Sequence, residues 1–284
     1  MTLSEAKLAE LEQFALEIRV NILETLNHLG FGHYGGSLSI VETLAVLYGE
    51  IMPMTPELFS KKDRDYFVLS KGHAGPALYS TLYLKGFFNQ EFLHSLNANG
   101  TRLPSHPDKN LTPGVDMTTG SLGQGVSVAT GIAYAQVIEK SDHFTYTIVG
   151  DGELNEGQCW EAFQFAAYQK LSNIFVFVDD NKKQLDGLTE EICQPGDYVQ
   201  KFEAFGFEAV RVDGSSILAI YDAILALKLS NSSKPKCIVL DTIKGQGVSL
   251  IENMTSNHHL RPDQAQLSAL SSAANDLRKE LEVD

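Results

Sequence analysis

The stretch from 145 to 187, TYTIVGDGELNEGQCWEAFQFAAYQKLSNIFVFVDDNKKQLDG, constrains the fold more than any other part of the chain. Residues 146–149 form a short apolar run that ends in Gly150-Asp151-Gly152. From 155 to 171 the apolar residues Trp160, Phe163, Ala167 and Leu171 recur at helical spacing. Residues 174–178 are a second β-branched and aromatic run, ending in Asp179-Asp180-Asn181. Strand, helix, strand makes a crossover unit whose strands are parallel, so both acidic turns fall at the carboxyl edge of one sheet. Open α/β sheets bind their ligands at that edge.

The two turns carry matching chemistry. Asp151 and Asn181 would each offer one hard oxygen to a cation. Mg²⁺ takes about six oxygens, dehydrates reluctantly and is usually shared with phosphate. Gly150 and Gly152 would let a phosphate approach the backbone with no Cβ in the way. A lone Asp-Gly reads as an ordinary strand-end turn, but two acidic turns separated by one helix and one strand favour the cation reading.

Composition narrows the class. The chain has 284 residues, 43% of them hydrophobic, with 23 glycines, as in a globular enzyme. A net charge of −14 argues against a nucleic-acid binder, which would need a basic face. It also repels anions at long range, so a phosphate site here would need a metal and local lysines. No apolar run reaches the ~18 residues of a membrane span, and the charged MTLSEAKLAELEQ has no apolar signal core. Three scattered cysteines (Cys159, Cys193, Cys237) suggest reduced thiols and a cytoplasmic setting.

Residues 4–29 read as an amphipathic helix stopped by Gly30. GFGHYGGSLS follows, with a formal G-x-G-x-x-G that comes after a helix rather than a strand and is therefore no dinucleotide fingerprint. It holds His33 ahead of an expected helix at 40–48. A strand at 66–69 runs into SKGHAGPALYS, which puts His73 at the carboxyl edge; RLPSHPD at 102–108 holds His106 in a proline-punctuated loop. TPGVDMTTGSLGQG at 112–125 has small residues, Gly120, Ser121, Gly123 and Gly125, that allow a helix N-terminus to approach a planar ring. The Gly- and Ala-rich helix expected at 126–138 suits either an interface between subunits or close packing within the chain. Beyond 187 the pattern gives a helix at 197–205, a strand at 207–212, a helix at 215–229 and a buried strand at 237–240. Lys244-Gly-Gln-Gly and Asn257-His258-His259 come next, and 262–284 is a polar helix or a frayed tail. With no repeat or linker, 1–284 reads as one domain, a doubly wound, mostly parallel α/β sheet with helices on both faces.

Gly-Asp-Gly followed thirty residues later by a strand-end Asn resembles the thiamin diphosphate and metal-binding pattern. With GFGH, SKGH, RLPSHPD and TTGSLGQG, the chain resembles the transketolase family from His33 to His258. It is most similar to the N-terminal subunit of split transketolases, whose serine stands at position 121 where full-length members have proline. The resemblance implies thiamin diphosphate held by Mg²⁺ (or Ca²⁺ or Mn²⁺), with Asp151, Asn181 and the main-chain oxygen of Lys183 as ligands. It places Gly120, Ser121 and Leu122 against the aminopyrimidine. Gly150, Gly152, Glu153, His73, Lys244 and His258 fall around the diphosphate turn, although Lys244 reads equally as a surface lysine. His33, His73, His106 and His258 are the implied catalytic histidines. The implied reaction moves a two-carbon ketol unit from a ketose to an aldose. It also implies a separate partner subunit, with a pyrimidine domain and an activating glutamate, in a heterotetramer. Where family members read Trp-His-Gly, this chain has Asn257-His258-His259. That departure keeps open a different thiamin-dependent subunit, one that works on an unusual sugar or aldehyde. A non-catalytic regulatory paralogue is the other alternative, against which the intact histidines and Asp151 argue. The adjacent histidines lack the further ligands of a zinc site.

Overall fold

The computed structural model describes residues 3–283. Five apolar runs become strands: β1 (Tyr66–Leu69), β2 (Thr145–Gly150), β3 (Ile174–Asp180), β4 (Glu208–Asp213) and β5 (Lys236–Asp241). They form one sheet in the order β1-β2-β3-β5-β4, with every neighbouring pair parallel. Strands β2 and β3 are buried along their whole length, as their unbroken apolar runs require.

Alternate residues on each strand feed two cores. Phe67, Leu69, Tyr146, Ile148, Phe175, Phe177, Ile238 and Leu240 pack beneath the helices Glu5–Leu29, Gly75–Leu84 and Ile217–Leu229. Val68, Val149, Val176, Val178, Cys237 and Val239 meet the helices Gln124–Glu139, Gly157–Tyr168 and Tyr198–Ala204 on the other face. Handedness explains the division. The chain steps one way along the sheet from β1 to β3 and on to the edge strand β4, leaving the helices Gln124–Glu139, Gly157–Tyr168 and Tyr198–Ala204 on one face, while Gly75–Leu84, also between β1 and β2, packs on the other. It then steps back to β5, so the connecting helix Ile217–Leu229 lies on the opposite face.

Several boundaries differ from the sequence reading. The helix expected at 40–48 is Val41–Val46, which runs into a wide π turn at Leu47–Ile51, and a short helix that was not expected, Tyr34–Leu38, precedes it across a break. The break lies at Ser39, whose Oγ turns inward to donate to Asp179 Oδ2 at 2.7 Å. The helix expected at 155–171 spans Gly157–Tyr168, because Glu153–Asn155 forms a separate 3₁₀ turn that carries Glu153 into the interior. At the C-terminal end there is no frayed tail among the described residues. Helix Gln264–Val283 lies along helix Glu5–Leu29, burying Leu270 and Ala274, and Arg278 pairs with Glu24. No helix among the described residues is long and apolar enough to cross a membrane.

Candidate active site

The carboxyl ends of β1, β2, β3 and β5 open into one cavity of about 440 Å³. Of the residues singled out in the sequence, His33, His73, His106, Gly120, Leu122, Gly150, Asp151, Gly152, Glu153, Asn181, Lys183, Lys244 and His258 line it. Ser121 does not; it is exposed beside the start of helix Gln124–Glu139.

The floor is a buried ion pair that sequence reasoning missed. Lys71, from the turn after β1, and Asp179, near the end of β3, are both fully buried and bonded to each other. Asp179 also accepts from Ser39 Oγ at 2.7 Å, Thr242 Oγ1 at 2.6 Å and Asn181 Nδ2 at 2.7 Å. Burial alone would raise its carboxyl, but the Lys71 ammonium together with the Thr242 and Ser39 hydroxyls outweighs it and holds the group below the usual carboxylate range. The available signals were a lysine directly after a strand and the first Asp of the Asp-Asp-Asn turn.

Asp151 is the opposite case. Its Oδ1 accepts the Gly152 N–H at 2.7 Å, while Oδ2 is buried with no partner among the described residues. Burial, then the charge on Asp179, push the carboxyl up to about 7. A buried oxygen without a partner beside a polar cavity is the kind of group a cation satisfies. The other two expected ligand oxygens are engaged: Asn181 Oδ1 accepts the Lys183 N–H at 3.2 Å, and the Lys183 carbonyl accepts from Lys244 Nζ at 2.9 Å.

Glu153 braces the site. Its carboxylate accepts from Ser70 Oγ at 2.5 Å, the Gly123 N–H at 2.8 Å and the Gly150 N–H at 3.2 Å, tying the ends of β1 and β2 to the N-terminus of helix Gln124–Glu139. Burial raises its carboxyl despite these donors. Gly120 has φ +135°, and a Cβ there would meet the His106 side chain at 3.1 Å, so only glycine brings this backbone against the histidine.

Above the floor the histidines converge. The His33 ring centroid lies 5.6 Å from that of His73, 5.7 Å from His106, 5.3 Å from His258 and 4.7 Å from His259; His73 and His258 are 4.7 Å apart. Burial holds His33 down to about 4 and His258 down to about 3, helped respectively by the neighbouring His259 and by Lys244. His73, beside Lys71, and His106 are lowered for the same first reason. These four rings are therefore neutral at pH 7, able to donate from one nitrogen and accept at the other. Lys244 is buried among the cations, which lowers its ammonium to about 8.

Asn257 anchors the segment that carries His258. Its buried side-chain amide donates to the carbonyls of Lys244 at 2.8 Å and Ile251 at 3.0 Å, and its main-chain carbonyl accepts the Gly35 N–H at 3.2 Å. A two-way backbone bridge between Gly32 and Leu260 completes the attachment. His258 is thereby held by polar bonds on both sides. The turn 184–187, closed by the Gln184 N–H to the Gly187 carbonyl at 2.9 Å, stands between this cavity and a second one of about 540 Å³ lined also by 253–258.

Residues 11–273 match the family model described as transketolase, thiamine diphosphate binding domain. The chain belongs to the transketolase family. It is 46% identical over 252 residues to the 6-deoxy-6-sulfo-D-fructose transketolase subunit SqwG of Clostridium sp. (strain MSTE9), covering 89% of this chain and 91% of that one. Identity to an apulose-4-phosphate transketolase subunit of Actinobacillus succinogenes is 37%, with the same two coverages. Among solved structures, transketolase from Leishmania mexicana superimposes with a TM-score of 0.82 at 28% identity, over 96% of this chain but 46% of that one. The chain thus spans nearly all of transketolases named as subunits and under half of the full-length enzyme. It is a transferase subunit of the two-component transketolase type. The cavity fits that assignment: an Asp151 oxygen without a partner among the described residues, open glycine backbone at Gly150, and Lys71 and Lys244 to offset negative charge.

Proposed function

We propose that this chain is the diphosphate-binding half of an enzyme that moves a two-carbon ketol unit from a ketose bearing an anionic tail to an aldose. The observation that carries the reading is Asp151 Oδ2, a buried oxygen without a partner in a cavity ringed by four neutral histidines. Asp151, Asn181 and the Lys183 carbonyl would hold Mg²⁺ (or Ca²⁺ or Mn²⁺), the last through its second lone pair. Gly120 and Leu122 would line the aminopyrimidine slot. When bound, thiamin diphosphate supplies the carbanion-stabilising centre. This chain's residues bind, orient and handle protons: His33 and His106 hydrogen-bond sugar hydroxyls, and His73 and His258 serve the oxygens next to the cleaved bond. The two named relatives act on a sulfonated and a phosphorylated sugar, which supports an anionic tail. His259, where the family has glycine, narrows the mouth against His33 and favours an unusual donor.

The partner would be a separate C-terminal subunit bringing the pyrimidine domain and the activating glutamate, in a heterotetramer of small-molecule function with no nucleic-acid or membrane role. All of 1–284 would act as one domain in the cytoplasm, and the three unpaired cysteines suit a reducing compartment. The test is a titration of partner into a fixed amount of this chain with Mg²⁺ and thiamin diphosphate, using sulfonated and phosphorylated ketoses as donors. Turnover should rise from zero to a plateau at equal stoichiometry. Turnover without partner, or none at any ratio with any donor, would overturn the reading.

A further inference from the structure

Lys244 is 2% exposed, and its ammonium has three acceptors within reach: the Lys183 carbonyl at 2.9 Å, the Gln184 carbonyl at 3.4 Å and His258 Nδ1 at 3.0 Å. An ammonium carries three donors and no lone pair, so each hydrogen has one destination. Two go to carbonyls, which can only accept. The third meets a ring nitrogen, and that nitrogen must present its lone pair. Neutral imidazole holds one ring proton, which is then forced onto the other nitrogen, Nε2, for which the described residues provide no hydrogen-bond partner.

We propose that Lys244 is a positioning residue that fixes the tautomer of His258, making Nε2–H a hydrogen-bond donor toward the cavity. The proposal rests on the ketol-transfer reading for its catalytic meaning, though not for its test. It goes further by assigning a direction. As held here, His258 donates to a substrate oxygen and has no free lone pair with which to take a proton. The same ammonium ties three pieces of chain together: the turn after β5 that carries Lys244, the turn after β3 that carries residues 183 and 184, and the segment that carries His258. A neutral side chain at 244 would orphan two carbonyls and free the ring to populate both tautomers or to rotate.

The experiment is heteronuclear NMR on the full chain with nitrogen-15- and carbon-13-labelled histidine. The His258 ring is assigned by its loss in His258→Gln, and tautomers are read from ring nitrogen and Cδ2 shifts. Wild type should show one tautomer, protonated at Nε2. Lys244→Met should show both, and in the assembled enzyme at saturating cofactor its kcat should fall roughly 10–100-fold with the donor KM little changed. Lys244→Arg, which keeps a donor there, should retain the single tautomer and more of the kcat. An Nδ1–H tautomer in wild type overturns the proposal outright, even if Lys244→Met fails to fold. So does an unchanged tautomer in Lys244→Met, or an unchanged kcat beside mixed tautomers. Because the NMR is read without cofactor or partner, a failure there stands apart from any failure of ketol transfer.

Discussion

Replacing Asp151 by asparagine should stabilise the cofactor-free protein while removing the carboxylate proposed to hold the metal. In the fold this carboxyl titrates at about 7, against 3.8 for the ordinary group, and its side chain is nearly inaccessible. Between those two values the folded chain holds a proton that the unfolded chain has lost, so stability falls as pH rises through the window and the whole penalty is present above it. A displacement of that size corresponds to ~4 kcal/mol. Asparagine removes the charge but puts an amide where Oδ2 had no partner, which costs about 1–3 kcal/mol. The net expectation at pH 8 in chelator is a variant more stable by roughly 1–3 kcal/mol, with the advantage vanishing near pH 5. Urea denaturation at both pH values reads it directly. Adding Mg²⁺ and thiamin diphosphate should reverse the order, because only wild type gains binding energy. A variant less stable than wild type at pH 8 in chelator would refute the electrostatic argument. One still stabilised by cofactor and metal would refute the site.

The histidine cluster should make the protein acid-labile: unfolded histidines take up protons below about 6.5, whereas His33 waits until about 4 and His258 until about 3, so stability is lost as pH falls through that range. His258→Gln should flatten this slope in urea midpoints compared at pH 7 and pH 5. Asn257→Ala strands two buried carbonyls and should cost about 2–4 kcal/mol by the same denaturation, with kcat falling as the His258 segment loosens. Gly131 sits mid-helix with open space where a Cβ would go, so Gly131→Ala should stabilise the isolated chain by about 0.5–1 kcal/mol. If the exposed face it shares with Ile138 docks closely against another subunit, sedimentation will show the same change weakening assembly.

The sheet was legible because most of its strands are short runs rich in β-branched, aromatic and other apolar residues, β2, β3 and β5 ending in Gly, Asp or Asn, and parallel strands send their endings to one edge. His33, His73, His106, Asp151 and His258 could be found because each stands in a loop or short turn at that edge. Lys71 and Asp179 left only weak signals, because a buried pair depends on two strand ends meeting in space and neither residue announces its burial. Glu153 looked like one more acidic turn residue; its bonds to Gly123 and Gly150 exist only after the helix N-terminus has docked. The break at Ser39 was hidden for the same reason, since the hydroxyl leaves its own helix for a carboxylate 140 positions away.

The turn at 184–187 is a party wall with a room on each side. One face touches the cavity that holds Asp151 and the histidines, the other a hollow of similar size bounded by 253–258, and His258 borders both. Whatever stiffens the wall from one room changes the free energy of filling the other, and the change is equal in both directions. A solute that settles in the outer hollow and tightens the cofactor tenfold must itself be held tenfold tighter once the cofactor is in place.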